Sequence, residues 1–203
     1  MKSKTSTISG IILASGFSKR MGQNKLIMPI NKIPMIQHVI NAAKNSCLKE
    51  VIIVFPDMDT ILKNVLNFES CILLKNPLCA LGQAESIKVG IQHLINHPHP
   101  NLAGAMVLLG DQPFINPTII NRLILESEKY PMTWTIPIRK QNGQRGNPVI
   151  IPSVEFNRVL EIQGDTGARV LMDTSLFKQN FIAMDDDAPF IDIDTMLDYE
   201  KYK

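Results

Sequence analysis

Two loops carry the residues with the clearest capacity for chemistry. After the apolar run Ile8 to Ala14, the first loop combines small residues with cations, namely Gly16, Arg20, Gly22 and Lys25. Small residues allow backbone N–H groups to approach a phosphate closely, and neighbouring cations neutralise its charge. The spacing matches neither a P-loop nor a G-x-G-x-x-G fingerprint. The pattern therefore predicts an anion-binding loop of another type, with a flexible basic loop as the alternative interpretation.

The second loop places a carboxylate directly after a buried run. Gly110-Asp111-Gln112-Pro113 follows Ala105 to Leu109, and a divalent ion that serves a triphosphate is usually held by one or two protein carboxylates. Asp111 is therefore a candidate Mg²⁺ ligand, with an ordinary turn aspartate before proline as the alternative. A second carboxylate can come from Asp192 or Asp194. If their segment is a strand, both lie on one face, so position alone does not choose between them.

The elements that must position these loops follow from the hydrophobic pattern. Apolar runs of strand length alternate with helical periodicity, which is typical of βαβ units and a largely parallel sheet. Strands are predicted near Ile8–Ala14, Val51–Phe55, Cys71–Leu74, Ala105–Leu109, Thr133–Ile138, Val149–Ile151, Asn180–Ala183 and Phe190–Ile193. Helices are predicted behind Pro34 and Asp57, over Ala84–Ile95, from Pro117 to Tyr130, and near Val154–Ile162 and Gly167–Asp173. Because ligands of open α/β sheets bind at the carboxyl ends of the strands, both loops are expected at one edge.

Length and composition limit the class of protein. The 203 residues predict one domain over 1–203. The hydrophobic fraction of 45% argues against disorder, and no apolar stretch approaches the roughly 20 residues of a membrane span. No early run is typical of a secretory signal, so a cytoplasmic location is expected. Three cysteines without a C-x-x-C pair favour reduced thiols over disulfides or a cysteine zinc site.

The charge of the chain is small but unevenly distributed. A net charge of +2 is too low for a general nucleic-acid-binding or membrane-surface protein. Residues 1–49 nevertheless contain no acidic residue, whereas aspartates and a glutamate crowd residues 185–200. This distribution suits an anion site early in the chain and a cation site late in it, with two solvated surface patches as the alternative.

Ordered motifs along almost the whole chain carry a family resemblance. The chain resembles the MobA-like nucleotidyltransferase family in four segments: Leu13-Ala14-Ser15-Gly16, Arg20-Met21-Gly22 with Lys25, Gly110-Asp111-Gln112-Pro113 and Asp192-Ile193-Asp194-Thr195. It resembles the molybdenum cofactor cytidylyltransferase branch in Asn76-Pro77, Gly82-Gln83 with Ser86, Gly143 to Pro148 and Gly164 to Arg169. The resemblance implies a Rossmann-like three-layer α/β nucleotidyltransferase fold with a mostly parallel central sheet. Its nucleotide-binding half would be 1–115 and its substrate-binding half 116–203.

The resemblance also implies an activity and a set of site residues. The activity is transfer of CMP from CTP to the phosphate of molybdopterin, with release of pyrophosphate. The nucleotide would contact Leu13, Ala14, Ser15, Gly16, Arg20, Lys25, Gly82, Gln83 and Ser86. Catalysis would rest on Arg20, Lys25 and Asp111, and Mg²⁺ would bind Asp111 and Asp192 with Asp194 in reserve. The acceptor would contact Arg145, Gly146, Asn147, Pro148, Asp165 and Arg169.

One departure from the family pattern leaves the nucleotide open. Ser15 stands where cytidylyl enzymes of the family usually have alanine and guanylyl enzymes have glycine. Guanylyl transfer, or transfer to a sugar or alditol phosphate, is therefore an alternative. A molybdenum hydroxylase such as xanthine dehydrogenase is the protein partner that the resemblance implies. A different kind of function is the second alternative, namely a non-catalytic nucleotide-binding partner of such an enzyme. Metal-binding carboxylates beside a phosphate loop favour catalysis over this alternative.

Overall fold

In the computed structural model of the chain, residues 7–14, 24–56, 66–162 and 178–203 are described. Within them, the strands are β1 Ile8–Leu13, β2 Pro29–Ile30, β3 Ile33–Pro34, β4 Val51–Phe55, β5 Ile72–Lys75, β6 Gly104–Leu109, β7 Trp134–Arg139, β8 Val149–Pro152 and β9 Gln179–Met184. The helices are α1 Met35–Lys44, α2 Gln83–Asn96, α3 Pro117–Lys129, α4 Phe156–Val159 and α5 Met196–Tyr202. None of the helices in these ranges is long and apolar enough to cross a bilayer.

One seven-stranded sheet organises the described residues, with the order β5-β4-β1-β6-β8-β7-β9. The pairs β5-β4, β4-β1, β1-β6 and β7-β9 are parallel. Strand β8 runs antiparallel to both of its neighbours, β6 and β7. The chain moves from β1 outward to β4 and β5, then returns to the other side of β1 to form β6. The carboxyl ends of β1 and β6 therefore lie side by side at a switch point, where open α/β sheets bind ligands.

Helices cover both faces of this sheet, because its strands are apolar on both sides. All residues of β1 and β4 are buried, which is typical of central parallel strands. Helices α1 and α3 pack on one face through Ile36, Val39, Ile40, Ile120 and Leu123. Helices α2 and α4 pack on the other face, together with Trp134, which is 0% exposed. The mostly parallel, three-layer α/β architecture is thus confirmed.

A small satellite cluster ties the C-terminal segment to the sheet's carboxyl edge. Met28, which precedes the hairpin β2-β3, and Ile30 in β2 pack there against Ile193 and Tyr199 of the C-terminal segment. The Tyr199 hydroxyl donates to the carbonyl of Pro29 at 2.8 Å. Thr195 caps α5 through a capping box with Asp198. These contacts hold residues 191–195 beside the turn that contains Lys25.

The C-terminal segment differs from the prediction. The strand predicted at Phe190–Ile193 is wrong, because a 3-10 turn over Ala188–Phe190 precedes an irregular segment. Ile193 is buried in the satellite cluster, and its N–H donates to the carbonyl of Asp111 at 3.2 Å rather than to a strand. The apolar residues that suggested a strand therefore serve as anchors of a loop.

Two further elements differ from the sequence prediction. The helix predicted near Val154–Ile162 is shorter, since a 3-10 turn over Ser153–Glu155 leads into the single turn of α4. The hairpin β2-β3 was not predicted, and its turn residues Asn31 and Lys32 both have positive φ. The helices predicted behind Asp57 and near Gly167–Asp173 lie outside the described residues.

A polar network around the buried Ser9, at the amino edge of the sheet, supports a stability prediction. The Ser9 hydroxyl, which is 0% exposed, donates to Glu50 Oε1 at 2.8 Å and lies 3.1 Å from His99 Nε2. Ser9→Ala is expected to lower the free energy of unfolding by about 1 kcal/mol, because two polar partners lose a hydrogen bond. Urea denaturation measures this loss. The matched control is Ser127→Ala, whose hydroxyl donates only within its own helix, to Ile124, at 2.7 Å. An equal effect of both substitutions would contradict a role for the network.

Candidate functional site

A lysine and two carboxylates from distant parts of the chain converge at the carboxyl edge of the sheet. Lys25 Nζ lies 2.7 Å from Asp111 Oδ2 and 2.7 Å from Asp194 Oδ1. The side chain of Lys25 is only 9% exposed, against 22% for Asp111 and 51% for Asp194. Burial alone would lower the pKa of Lys25, but the charges and hydrogen bonds of Asp111 and Asp194 outweigh it and raise that pKa. The lysine is therefore held in its charged form.

A third carboxylate, Asp192, lies in the same charge cluster but has a different partner. Gln112 Nε2 donates to Asp192 Oδ1 at 2.6 Å. Burial, followed by the negative charge of Asp111, raises the pKa of Asp192, although the hydrogen bond from Gln112 opposes that shift. Asp192 is thus close enough to feel the charge of Asp111. The N–H of Ile193, next to Asp192, also donates to the carbonyl of Asp111 at 3.2 Å, and metal binding by the two aspartates stays a prediction.

Close packing between β1 and β6 sets the position of Asp111. The N–H of Gly110 donates to the carbonyl of Leu13 at 3.1 Å. A Cβ atom on residue 110 would lie 3.0 Å from that same carbonyl oxygen and 3.2 Å from the side chain of Leu26. Glycine therefore allows the loop to pass tightly over the end of β1. Asn24 caps the turn that begins at Lys25 by accepting a hydrogen bond from the N–H of Leu26.

The donor set fits a hard divalent cation. Carboxylate and amide oxygens are the ligands that Mg²⁺ and Mn²⁺ prefer. Gln112 is 1% exposed, and its Oε1 is a buried acceptor for which no protein partner is found among the described residues. In that part of the chain, no group of three His, Cys, Asp or Glu side chains is arranged to hold an ion alone. A metal that is shared with substrate phosphates is usually held by only one or two protein carboxylates.

The predicted phosphate loop is described only at its two ends. Leu13 and Ala14 are buried, and the N–H of Ala14 donates to the carbonyl of Val54 at 2.9 Å. That N–H is therefore occupied by the sheet. Three predicted members of the loop lie outside the described residues, namely Ser15, Gly16 and Arg20.

The second predicted nucleotide segment forms the entry to α2. Gly82 has φ +118°, a value that side chains disfavour, and it precedes Gln83 at the start of the helix. Ser86 is 1% exposed, and its Oγ accepts a hydrogen bond from Asn76 Nδ2 at 2.9 Å. Asn76 also accepts from the N–H of Leu78. Ser86 therefore holds the loop after β5 against α2, and the contact predicted between Ser86 and the nucleotide stays a prediction.

The predicted acceptor segment packs against the turn that precedes Asp192. The N–H of Asn147 donates to the carbonyl of Pro189 at 2.9 Å, and the Asn147–Pro148 peptide is cis. A Cβ on Gly146 would meet the same Pro189 carbonyl and lie 2.6 Å from the ring of Phe190. This contact joins the loop between β7 and β8 to the C-terminal segment.

Arginines border this acceptor segment. The guanidinium of Arg145 lies 5.4 Å from the ring centroid of Phe181, and that of Arg139 lies 4.9 Å from the ring of Phe190. Arg139 also pairs with Asp187 at 3.3 Å. Two further predicted acceptor contacts, Asp165 and Arg169, lie outside the described residues.

Sequence reasoning did not assign a role to Gln112. The sequence holds one indication. Gln112 lies between an aspartate and a proline directly after a buried strand, so its polar side chain stands where the chain is still buried. Position along the sequence also left Asp192 and Asp194 equivalent, and only the family resemblance preferred Asp192. The structure separates them, because Asp192 accepts from Gln112 whereas Asp194 pairs with Lys25.

Comparison with known proteins gives one family for most of the chain. The sequence profile described as the MobA-like NTP transferase domain matches residues 10–196. PucB, the purine catabolism protein of Bacillus subtilis, is 27% identical over 202 residues, covering 94% of this chain and 93% of that protein. The probable molybdenum cofactor guanylyltransferase of Thermococcus sibiricus is 30% identical over 120 residues, covering 57% of this chain and 53% of that protein.

Some relatives are much longer than this chain. The bifunctional protein GlmU of Wolbachia pipientis is 27% identical over 167 residues, which cover 81% of this chain but only 37% of that protein. The matches to three further GlmU proteins span 25% to 26% of their length. The chain therefore spans only about a quarter to a little over a third of the length of these curated relatives.

Solved structures agree on the fold. The crystal structure of Rv0371c from Mycobacterium tuberculosis superposes with a TM-score of 0.81 at 23% identity, covering 96% of each chain. The structure of Rv0371c in complex with manganese superposes with a TM-score of 0.76 at 20% identity, again covering 96% of each chain. At these identities the likeness shows the fold alone, and it confirms the Rossmann-like architecture predicted from the sequence.

Proposed function

The chain belongs to the MobA-like NTP transferase family, and from that premise we propose that it transfers a nucleotidyl group from a nucleoside triphosphate to a phosphate-bearing acceptor. The observation that carries this proposal is the convergence of Lys25 with Asp111 and Asp194 at 2.7 Å, beside Asp192. A cation and a carboxylate cluster at the switch point of an open sheet provide what a metal-bound triphosphate requires.

The acceptor in this proposal is the phosphate of a molybdopterin-type cofactor, and the donor is CTP. Support comes from the segments that resemble the cytidylyl branch, in particular Gly143 to Pro148 and Gly164 to Arg169. Two relatives carry names from molybdenum cofactor synthesis and purine catabolism. Because one of them is named a guanylyltransferase, GTP is the alternative donor. A molybdenum hydroxylase such as xanthine dehydrogenase would receive the product, and the cytoplasm stays the predicted location.

The assignment of residues follows the two halves of the chain. The nucleotide would be held by 1–115, through the backbone at Ala14 to Gly16, the start of α2, and the cations Arg20 and Lys25. The acceptor would be held by 116–203, through the segment that contains Arg145 and Asn147. The acceptor segment that contains Arg145 and Asn147 follows β7, which runs in the same direction as β6 because both are antiparallel to β8. The direction of β7 therefore supports acceptor binding at the carboxyl edge, on the side where Asp111 follows β6.

The reaction needs alignment and charge neutralisation rather than a base. A phosphate monoester has a second pKa of about 6, so its attacking oxygen is already ionised at neutral pH. That oxygen attacks the α-phosphorus in line, and pyrophosphate leaves as the bond to the α-phosphorus breaks. When bound, a divalent cation, proposed as Mg²⁺, supplies positive charge to the phosphates. Asp111 and Asp192 would hold it, while Lys25 stabilises the charge that develops on the departing pyrophosphate.

An assay with matched donors and acceptors tests the proposal. The protein is incubated with Mg²⁺, each of the four nucleoside triphosphates, and either molybdopterin or a sugar or alditol phosphate, while pyrophosphate release is followed. We expect release only with molybdopterin, and fastest with CTP. Release only with GTP would overturn the cytidylyl assignment, and release only with another acceptor would overturn the molybdopterin assignment. Absence of release with every pair would favour a non-catalytic nucleotide-binding protein.

A further inference from the structure

The ammonium of Lys25 occupies the place of a cation between two carboxylates. Its distances of 2.7 Å to Asp111 Oδ2 and 2.7 Å to Asp194 Oδ1 are those of charge-assisted hydrogen bonds. Asp111 is also the residue proposed to hold the divalent metal. A metal bound to Asp111 would place two positive charges next to this ammonium, and the two cations would repel each other. Lysine and metal therefore compete for one carboxylate.

The two late aspartates are placed for different tasks. Asp192 accepts a hydrogen bond from Gln112, so it lies next to an amide oxygen that has no partner among the described residues. Asp194 is half exposed and holds the lysine. Asp192 therefore has the environment of a metal ligand, whereas Asp194 has that of an anchor for Lys25.

We propose that Lys25 is the resident counter-cation of the carboxylate site before the metal binds, and that Asp194 is a positioning residue that holds it there. Metal binding at Asp111 then displaces the ammonium, which becomes available to the triphosphate. This inference rests on the proposed function, because it assumes a metal site on Asp111. It adds that metal binding and the interaction of Lys25 with Asp111 oppose each other, so that each weakens the binding of the other cation to that carboxylate.

The first test measures Mn²⁺ binding without nucleotide, by electron paramagnetic resonance of free Mn²⁺. In Lys25→Met, which keeps the length of the side chain but removes the charge, we expect Mn²⁺ to bind about tenfold more tightly, as close charge pairs of this kind are coupled by at least that factor. The matched control is Lys88→Met, because Lys88 pairs with Glu85 on α2, and its Mn²⁺ affinity is expected to be unchanged. Unchanged or weaker binding by Lys25→Met would overturn the counter-cation role.

The second test separates the two aspartates by the same isosteric change. Asp192→Asn is expected to weaken Mn²⁺ binding about tenfold or more, because it removes a charged ligand. Asp194→Asn is expected not to weaken it, since the loss of negative charge is offset by release of the competing lysine. If Asp194→Asn weakens Mn²⁺ binding as much as Asp192→Asn does, Asp194 is a metal ligand and the positioning role is wrong.

These measurements can fail independently of the proposed reaction. Competition between Lys25 and Mn²⁺ is read from binding alone, whereas the transfer reaction is read from pyrophosphate release. A protein that shows the competition but transfers no nucleotide would retain this inference and lose the function. A protein that transfers nucleotide while Lys25→Met leaves Mn²⁺ affinity unchanged would retain the function and lose this inference. Thermal unfolding of each variant establishes that it is folded.

Discussion

Replacing Asp111 by asparagine is expected to abolish detectable turnover. The substitution keeps the shape of the side chain but removes the charge that lies 2.7 Å from Lys25 Nζ. By analogy with the loss of one well-placed oxyanion donor, the transition state should lose at least about 2.7 to 4 kcal/mol, or 10²- to 10³-fold in kcat. The measurement is the rate of pyrophosphate release at saturating Mg²⁺ and nucleotide. Asp111→Ala is expected to have the same effect.

The matched control for this prediction is another aspartate that pairs with a lysine. Asp185 contacts Lys140 at 2.9 Å, but its side chain is 75% exposed and lies on the surface. Asp185→Asn is expected to leave kcat unchanged, because exposed ion pairs contribute little. Near-native turnover by Asp111→Asn at saturating metal would show that the reaction does not need the charge of Asp111, and would contradict a catalytic role for the carboxylate cluster.

Replacing Trp134 by alanine is expected to cause the largest loss of stability. The indole is 0% exposed and packs in the layer between the sheet and the helices α2 and α4. Its removal takes away buried apolar surface and leaves a cavity, a change that costs about 3 to 5 kcal/mol. Urea denaturation followed by far-ultraviolet circular dichroism measures the loss. This cost is a large fraction of the total stability of a typical domain, about 5 to 15 kcal/mol.

An exposed aromatic residue provides the comparison for Trp134. Tyr130 follows α3 and is 55% exposed, so that Tyr130→Ala should change the free energy of unfolding by no more than about 0.5 kcal/mol. Similar losses for both variants would mean that the layer around Trp134 refills the space or that the indole contributes little to the core.

Much of the fold follows from local sequence, because buried strands and amphipathic helices leave strong patterns. The runs Val51–Phe55 and Gly104–Leu109 are nearly continuous in apolar residues, and both are parallel strands of the sheet. The order of the strands in the sheet is harder to predict from the sequence. Strand β8 enters antiparallel between β6 and β7, and nothing in its four residues specifies which neighbours it will find.

Local pattern failed where tertiary contacts decide the conformation. The apolar run at Phe190 to Ile193 looks like a strand, but burial of Ile193 beside the hairpin and the turn at Pro189 hold it as a loop. The hairpin β2-β3 turns through Asn31 and Lys32, which lack the glycine that usually marks such turns. Short elements of this kind depend on packing that only the folded chain provides.

The candidate site was partly predictable for the same reasons. The loops after β1 and β6 were expected at one edge, and the structure joins Lys25 to Asp111 there. The separation of Asp192 from Asp194 could not be predicted from their positions, because the predicted strand would have placed both on one face and that strand does not form. It depends instead on which partner each side chain reaches, Gln112 for Asp192 and Lys25 for Asp194.

The position of the single tryptophan determines what intrinsic fluorescence can report. Trp134 begins β7 at the amino edge of the sheet, and the six residues of that strand separate it from the carboxyl edge by roughly 17 Å. Its emission should be blue-shifted in the folded protein and move to longer wavelength when water reaches the indole. Titration with metal or nucleotide should leave the emission maximum unchanged. The tryptophan fluorescence therefore reports global unfolding and does not respond to ligand binding.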